Sequence, residues 1–188
     1  MKNLTCIVGL VDKGTVYIAG DSAASAGTGI CIREDKKVFQ NGPFIIGFTN
    51  SFRMGQLLHY KFIPPLQEVE DDLEYMSTAV IDSVRNCFNM NGFAFDKEDD
   101  ADGGAFLIGY KGVLYVVDTD FQVGLPSTPY YSIGCGTDIA LGSLFSTVGK
   151  SAETRIVTAL EAASEFSSAV APPFYIVKQK KPRSRKTK

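Results

Sequence analysis

The sequence predicts an α+β fold in which two antiparallel sheets pack face to face with helices outside. Three observations predict it. Short β-branched and aromatic runs are joined by glycine-bearing turns, which makes hairpins and therefore antiparallel sheets. Helical stretches come two at a time, and each pair needs an apolar surface to cover. The 188 residues are 45% hydrophobic with a net charge of −2, enough to bury one sizeable core and giving no sign of a second domain.

The elements follow in order. "LTCIVGLV", the turn Asp12-Lys13-Gly14 and "TVYIAGD" read as the first hairpin. "SAASAGTGICIRE" is small and flexible, able to line a site without filling it. "KKVFQ", the turn Asn41-Gly42-Pro43 and "FIIGFT" read as the second hairpin. In "SFRMGQLLHYKF" Phe52, Leu57, Leu58 and Phe62 fall on roughly one side of a helix that Pro64-Pro65 stops. "DLEYMSTAVIDSVRNCFNMNGF" repeats apolar residues at Met76, Val80, Val84 and Cys87, a stripe that reads as core. A third hairpin is "GAFLIGY", Lys111-Gly112 and "VLYVVDTD". "YYSIGCG" ends a short strand at a glycine pair, and "TDIALGSLFSTV" continues as a helix with Thr137 or Asp138 as its cap. "SAETRIVTALEAASEFSS" is the best helix, with Ser151 and Thr154 placed for capping and Ile156, Leu160 and Ala163 on one face. "FYIV" supplies the last strand.

Composition removes several classes of chemistry. His59 is the only histidine, so a multi-histidine metal site is excluded and a Ser-His-Asp or Cys-His site would have to use that residue. Cys6, Cys31, Cys87 and Cys135 are scattered without a Cys-x-x-Cys pair, and read as reduced, mostly buried thiols of a cytoplasmic protein. No apolar run approaches the roughly 20 residues of a membrane span, so no membrane partner is expected. Glu98, Asp100 and Asp102 precede Gly103 as in a calcium loop, but the twelfth position falls on Gly109. Neither metal nor cofactor is expected. The tail 178–188 is strongly basic, while Glu68 to Glu74 and Asp96 to Asp102 are acidic. The tail reads as a solubilising extension, or else as a dock for nucleic acid or an acidic partner.

The chemistry that remains sits at the chain start. Were Thr5 a new N-terminus, its α-amine, with an ordinary pKa of about 7.7–8.0, could take the hydroxyl proton without histidine. A nearby cation would favour the neutral, basic amine, and a carboxylate would hold that cation. Asp21 ends the second strand and Lys37 heads the next hairpin, and a hairpin with a return strand can bring all three to one end of a sheet. Lys36 is the competing lysine. Cys6 as nucleophile would shift both spacings and face the other side of the strand.

With "TCIVGL", "YIAGDS" and "DKKVF" in this register, the sequence resembles the proteasome-type N-terminal nucleophile hydrolases, especially the bacterial proteasome-like peptidase of two-component ATP-dependent proteases. That family has Gly-Asp or Ala-x-Asp sixteen residues after its threonine and a lysine thirty-two after it, matching Asp21 and Lys37. The "IIGF" strand, "SIGCGTDIALGSL" and "TALEAASEFSS" continue the likeness through most of residues 5–177. The resemblance implies a four-layer αββα sandwich and peptide-bond hydrolysis through a threonyl acyl-enzyme. It also implies an oxyanion hole from a backbone N–H at Asn50, where the family has glycine. Cys135 stands where the family has a serine around the amine, and Glu165 aligns with the acid at the end of the last helix. A homo-oligomeric ring or stacked assembly, a peptide or protein substrate and a separate ATPase partner are implied as well, since the chain has no phosphate-binding loop of its own.

Residues 1–4, "MKNL", are the possible prosegment. Lys2 should hinder removal of Met1, so the amine is free only if Leu4–Thr5 is cut. If it is not, the protein is an inactive relative serving as an assembly or binding scaffold. A third reading makes it an adaptor acting through the basic tail, although nucleic acid is not expected as its partner.

Overall fold

The computed structural model describes residues 5–26, 29–93 and 104–181. The possible prosegment, the acidic loop 96–102 and the last seven residues of the tail lie outside them.

Four strands form the first sheet. β1 (Cys6–Asp12) and β2 (Thr15–Gly20) make the first hairpin, flanked by β10 (Tyr130–Gly134) beside β1 and β11 (Tyr175–Lys180) beside β2, all antiparallel. The second sheet runs in simple order through β5 (Val38–Asn41), β6 (Phe44–Phe48), β7 (Phe106–Tyr110), β8 (Val113–Val117) and the two-residue β9 (Val123–Gly124). The three predicted hairpins therefore form, with Lys13, Gly14, Gly42, Lys111 and Gly112 supplying the positive φ their tight turns need. On one outer side lie α4 (Thr137–Ser146) and α5 (Ala152–Phe166). On the other lie α1 (Phe52–Tyr60), α2 (Asp72–Tyr75) and α3 (Ile81–Met90), the last two joined by a π-helical turn at Met76–Val80.

The alternation of β1 divides the core. Cys6, Val8 and Leu10 face α4 and α5, packing with Ala140, Leu144, Ile156 and Leu160. Ile7 faces the other way, between the sheets, with Ile18, Val38, Ile45 and Leu107. The third cluster joins the second sheet to α1 and α3 through Phe44, Ile46, Leu57, Met76, Val84 and Phe88. Three apolar interfaces separate four layers, the αββα arrangement.

Four details differ from the sequence reading. The segment after Asp21 contains a pair of antiparallel strands, β3 (Ala23–Ala26) with β4 (Gly29–Ile32); it lacks the apolar alternation that announces a strand. Gly136, not Thr137 or Asp138, caps α4, and Ala140 N–H donates to its carbonyl. A Cβ at Gly136 would lie 2.9 Å from Cys6 Cβ and 3.0 Å from Ala163 Cβ, so packing against β1 and α5 selects glycine there. Cys31 and Cys135 are exposed rather than buried. β11 extends three residues past Val177, so Lys178, Gln179 and Lys180 belong to the sheet. Among the described residues no helix is long and apolar enough to cross a membrane, and no cluster of three metal-ligating side chains occurs.

Candidate active site

Thr5 immediately precedes β1 and falls on the same face as Ile7, pointing between the sheets. Asp21 follows the last residue of β2, and its backbone N–H donates to the Cys6 carbonyl at 3.3 Å. Lys37 precedes β5 in the opposite sheet. The two-sheet packing thus closes a sequence gap of 32 residues. Lys37 Nζ donates to Thr5 Oγ1 at 2.9 Å and to Asp21 Oδ1 at 2.8 Å. All three residues are 2% exposed or less. Lys36 turns away and stands 4.7 Å from the Tyr175 ring.

The carboxylate of Asp21 is held on every side. Oδ1 accepts from Cys6 N–H at 3.1 Å as well as from Lys37, and Oδ2 accepts from Ala23 N–H at 3.0 Å and Ala171 N–H at 3.4 Å. Such saturation permits a buried charge where an unpaired one would be costly. Burial pushes the Lys37 ammonium below its ordinary pKa of 10.5, while the Asp21 charge and hydrogen bond oppose that shift. A lysine so placed is a cation that reaches both a hydroxyl and a carboxylate. On the other face of the strand, burial pushes the Cys6 thiol up to about 12, which makes it a core residue beside Ser132 rather than a nucleophile.

Cys135 sits at the backbone of Thr5. Its thiol accepts from Thr5 N–H at 3.4 Å, donates to Thr5 O at 3.3 Å, and lies 3.8 Å from Ser167 Oγ. It is an exposed polar contact, not the buried hydrophobe that its sequence context also allowed. The preceding Gly134 has φ +100°, and a Cβ there would come within 2.2 Å of Thr5 O, so only glycine lets this strand end so close to the threonine.

Asn50 follows the β6 strand and Thr49 with φ 66°. The N–H groups on either side are used, Thr49 toward Ala105 O at 3.0 Å and Ser51 toward Thr49 O at 2.9 Å. The Asn50 N–H makes no hydrogen bond among the described residues, and its side-chain Oδ1 is buried without one. Beyond it, Phe52 lies 5.9 Å from Lys37 Nζ and carries the Arg33 guanidinium at 4.0 Å, itself held by Asp35.

Glu165 is not gathered in. It is exposed near the end of α5, and its side chain makes no hydrogen bond or ion pair among the described residues. Ser167, two residues on, is the α5-end side chain that reaches Cys135. Ser167 and the Ala171 N–H were missed in sequence; the serine pair after "EF" was the one visible signal.

No protein-family model matches the chain, and no curated protein matches it in sequence. Solved structures do match. BPH of Thiobacillus denitrificans in complex with epoxomicin is similar with a TM-score of 0.78 and 19% identity, over 94% of this chain and 99% of that one. Eukaryotic HslV from Trypanosoma brucei gives 0.67 and 15%, over 93% and 99%. Anbu from Pseudomonas aeruginosa, described as a helical assembly, gives 0.67 and 14%, over 93% and 81%. At these identities the likeness is one of architecture: the chain shares the four-layer αββα fold of these solved structures.

Proposed function

We propose that this protein is a proteasome-like threonine peptidase that acts through Thr5 once the Leu4–Thr5 bond is cut. The observation that carries the reading is the buried contact of Lys37 Nζ with Thr5 Oγ1 and Asp21 Oδ1. In the proposed reaction the freed α-amine takes the Thr5 hydroxyl proton while Oγ1 bonds to the scissile carbonyl carbon. The Lys37 charge, fixed by Asp21, keeps the amine neutral and stabilises the developing alkoxide. The open Asn50 N–H is the donor for the oxyanion. The α-ammonium then protonates the leaving amine as the C–N bond breaks, leaving an ester on Thr5. Water attacks that ester and gives its proton to the α-amine, and the α-ammonium returns it to Oγ1 as the Oγ1–C bond breaks and the acid product leaves. Cys135 and Ser167 position the amine.

The helical assembly described for the Anbu neighbour supports a homo-oligomer of this chain, and the same proposal assigns the supply of unfolded substrate to a separate ATPase. A cytoplasmic location fits this reading.

Intact-mass analysis tests it together with turnover of a fluorogenic peptide. The expected result is a chain beginning at Thr5, labelled by a threonine-directed electrophile such as epoxomicin. Thr5→Ala should lower turnover by roughly a thousandfold or more, with the melting profile retained. A chain that keeps residues 1–4 and takes no label would mark an inactive scaffold, and full activity in Thr5→Ala would remove Thr5 as nucleophile.

A further inference from the structure

The two segments that bring Lys37 and Asn50 to Thr5 also enclose a cavity. Lys37 lies between Lys36 and Val38, and Asn50 comes two residues before Phe52. Lys36, Val38 and Phe52 all line a cavity of about 320 Å³ between β5 and α1. Phe52 links this cavity to the site, since its ring centre is 5.9 Å from Lys37 Nζ, and that nitrogen is 2.9 Å from Thr5 Oγ1. A peptide whose carbonyl reached both Oγ1 and the Asn50 N–H would therefore carry the side chain of that residue beside β5 and α1.

The walls are aromatic. Phe39 and Phe48 are 6% and 4% exposed, and the Phe52 ring stands edge-on to Phe48 at 5.9 Å. His59 stacks on Phe39 at 4.3 Å and on Tyr60 at 4.1 Å. Burial holds His59 below its ordinary pKa of 6.5, so its ring is neutral near pH 7 and extends the uncharged wall.

Charge at the rim is balanced. Glu34, Asp35 and Lys36 line the cavity, but Asp35 is held by the Arg33 guanidinium through two contacts of 2.6 Å. The same guanidinium covers the Phe52 ring at 4.0 Å. A basic side chain entering here would meet an aromatic face that already carries a cation. An acidic one would face Glu34 and Asp35 and lose its hydration against phenylalanines. An aromatic side chain has neither penalty, makes tilted or edge contacts with the rings, and fills a volume that a small side chain would leave empty.

We propose that this cavity receives the side chain of the residue whose carbonyl Thr5 attacks, and that it selects phenylalanine or tyrosine. The substrates are then peptides cut on the carboxyl side of a large aromatic residue. That assignment of the cut rests on the peptidase reading, whereas the aromatic preference of the cavity can be read without turnover.

Two measurements on the full chain test this. In the first, peptides of the form Gly-Gly-X-aminomethylcoumarin, with X as Phe, Ala, Arg or Glu, are compared by kcat/KM. Phe should exceed each of the others at least tenfold. In the second, fluorescein-labelled peptides that end in X are titrated by fluorescence anisotropy; they have no bond after X to be cut, and the same order is expected. Gln56→Trp, at an exposed position lining the cavity, should lower the Phe-to-Ala ratio at least tenfold in both measurements with the melting profile retained. Tightest binding of the Phe peptide without turnover of any substrate would remove the peptidase reading and keep the aromatic site. Turnover with no preference among the four, an order led by Ala, Arg or Glu, or an unchanged ratio in folded Gln56→Trp would overturn the proposal.

Discussion

The two ends of the sandwich treat charge in opposite ways. At the Thr5 end, Lys37 and Asp21 pair at 2.8 Å with side chains 2% and 0% exposed. At the other end, where the turns at Gly14 and Gly112 approach one another, Lys111 and Asp72 pair at 2.7 Å with side chains 38% and 33% exposed. Distance is the same and solvent is not. Withdrawing two charges from water costs several kcal/mol per ion, which their attraction repays only when every remaining lone pair is satisfied. The four donors around Asp21 meet that condition. The arrangement is a poor way to gain stability and a good way to hold a cation against one hydroxyl. The exposed pair can do neither, since water screens it.

The largest effect should come from breaking the buried pair. Lys37→Met leaves the Asp21 carboxylate unpaired in the core and should cost about 3–5 kcal/mol in urea unfolding. The double variant Lys37→Met/Asp21→Leu removes both charges and should recover much of that loss. A single variant as stable as the parent would show that the burial of this pair carries no penalty, and the contrast between the ends would collapse.

A smaller effect distinguishes the two faces of β1 at the same end. Cys6 packs under the helices with its pKa raised from 9.0 to about 12 by burial. The folded chain therefore keeps a proton that the unfolded chain releases above about pH 9. Its contribution to stability is full below pH 9 and lost as pH rises toward 12. Relative to Cys6→Ala, the parent should lose about 1 kcal/mol between pH 8 and pH 10 in chemical denaturation. A flat difference over that range would mean that the thiolate is tolerated and that this face is not the dry side of the strand.

Much of this was legible in sequence, for reasons that differ by residue. Hairpins announce themselves because only a few residues accept positive φ, and Lys13-Gly14, Gly42 and Lys111-Gly112 mark them. Spacing selected Thr5, Asp21 and Lys37 because strand alternation converts register into side, and the same rule turned Cys6 away from them. Alternation also decides between Lys36 and Lys37, but only once the start of β5 is known. What was not legible depends on approach between distant segments. Ser167 and the Ala171 N–H arrive through the end of α5 and the loop after it, and Gly136 caps α4 because two other elements leave no room for a Cβ. The β3–β4 pair was hidden because Ala23–Ala26 is three alanines and a serine, a run with no apolar–polar alternation to show a period.

The smallest effect belongs to the exposed pair, and it sharpens the comparison most directly because the geometry is matched. Lys111 Nζ also donates to Gln67 Oε1, and Gln67 in turn holds Asp72 and accepts from the Tyr110 hydroxyl. A small network therefore surrounds Asp72, and it holds that carboxyl below its ordinary pKa against the burial that would raise it. Even so, solvent reaches both charges, and Lys111→Met should cost less than about 1 kcal/mol, with most of the loss removed by added salt. The loss in Lys37→Met should change little with salt, because that pair is out of reach of mobile ions. Equal salt dependence in the two variants would place both pairs in the same dielectric surroundings, and burial would no longer explain why only one of them sits against a threonine.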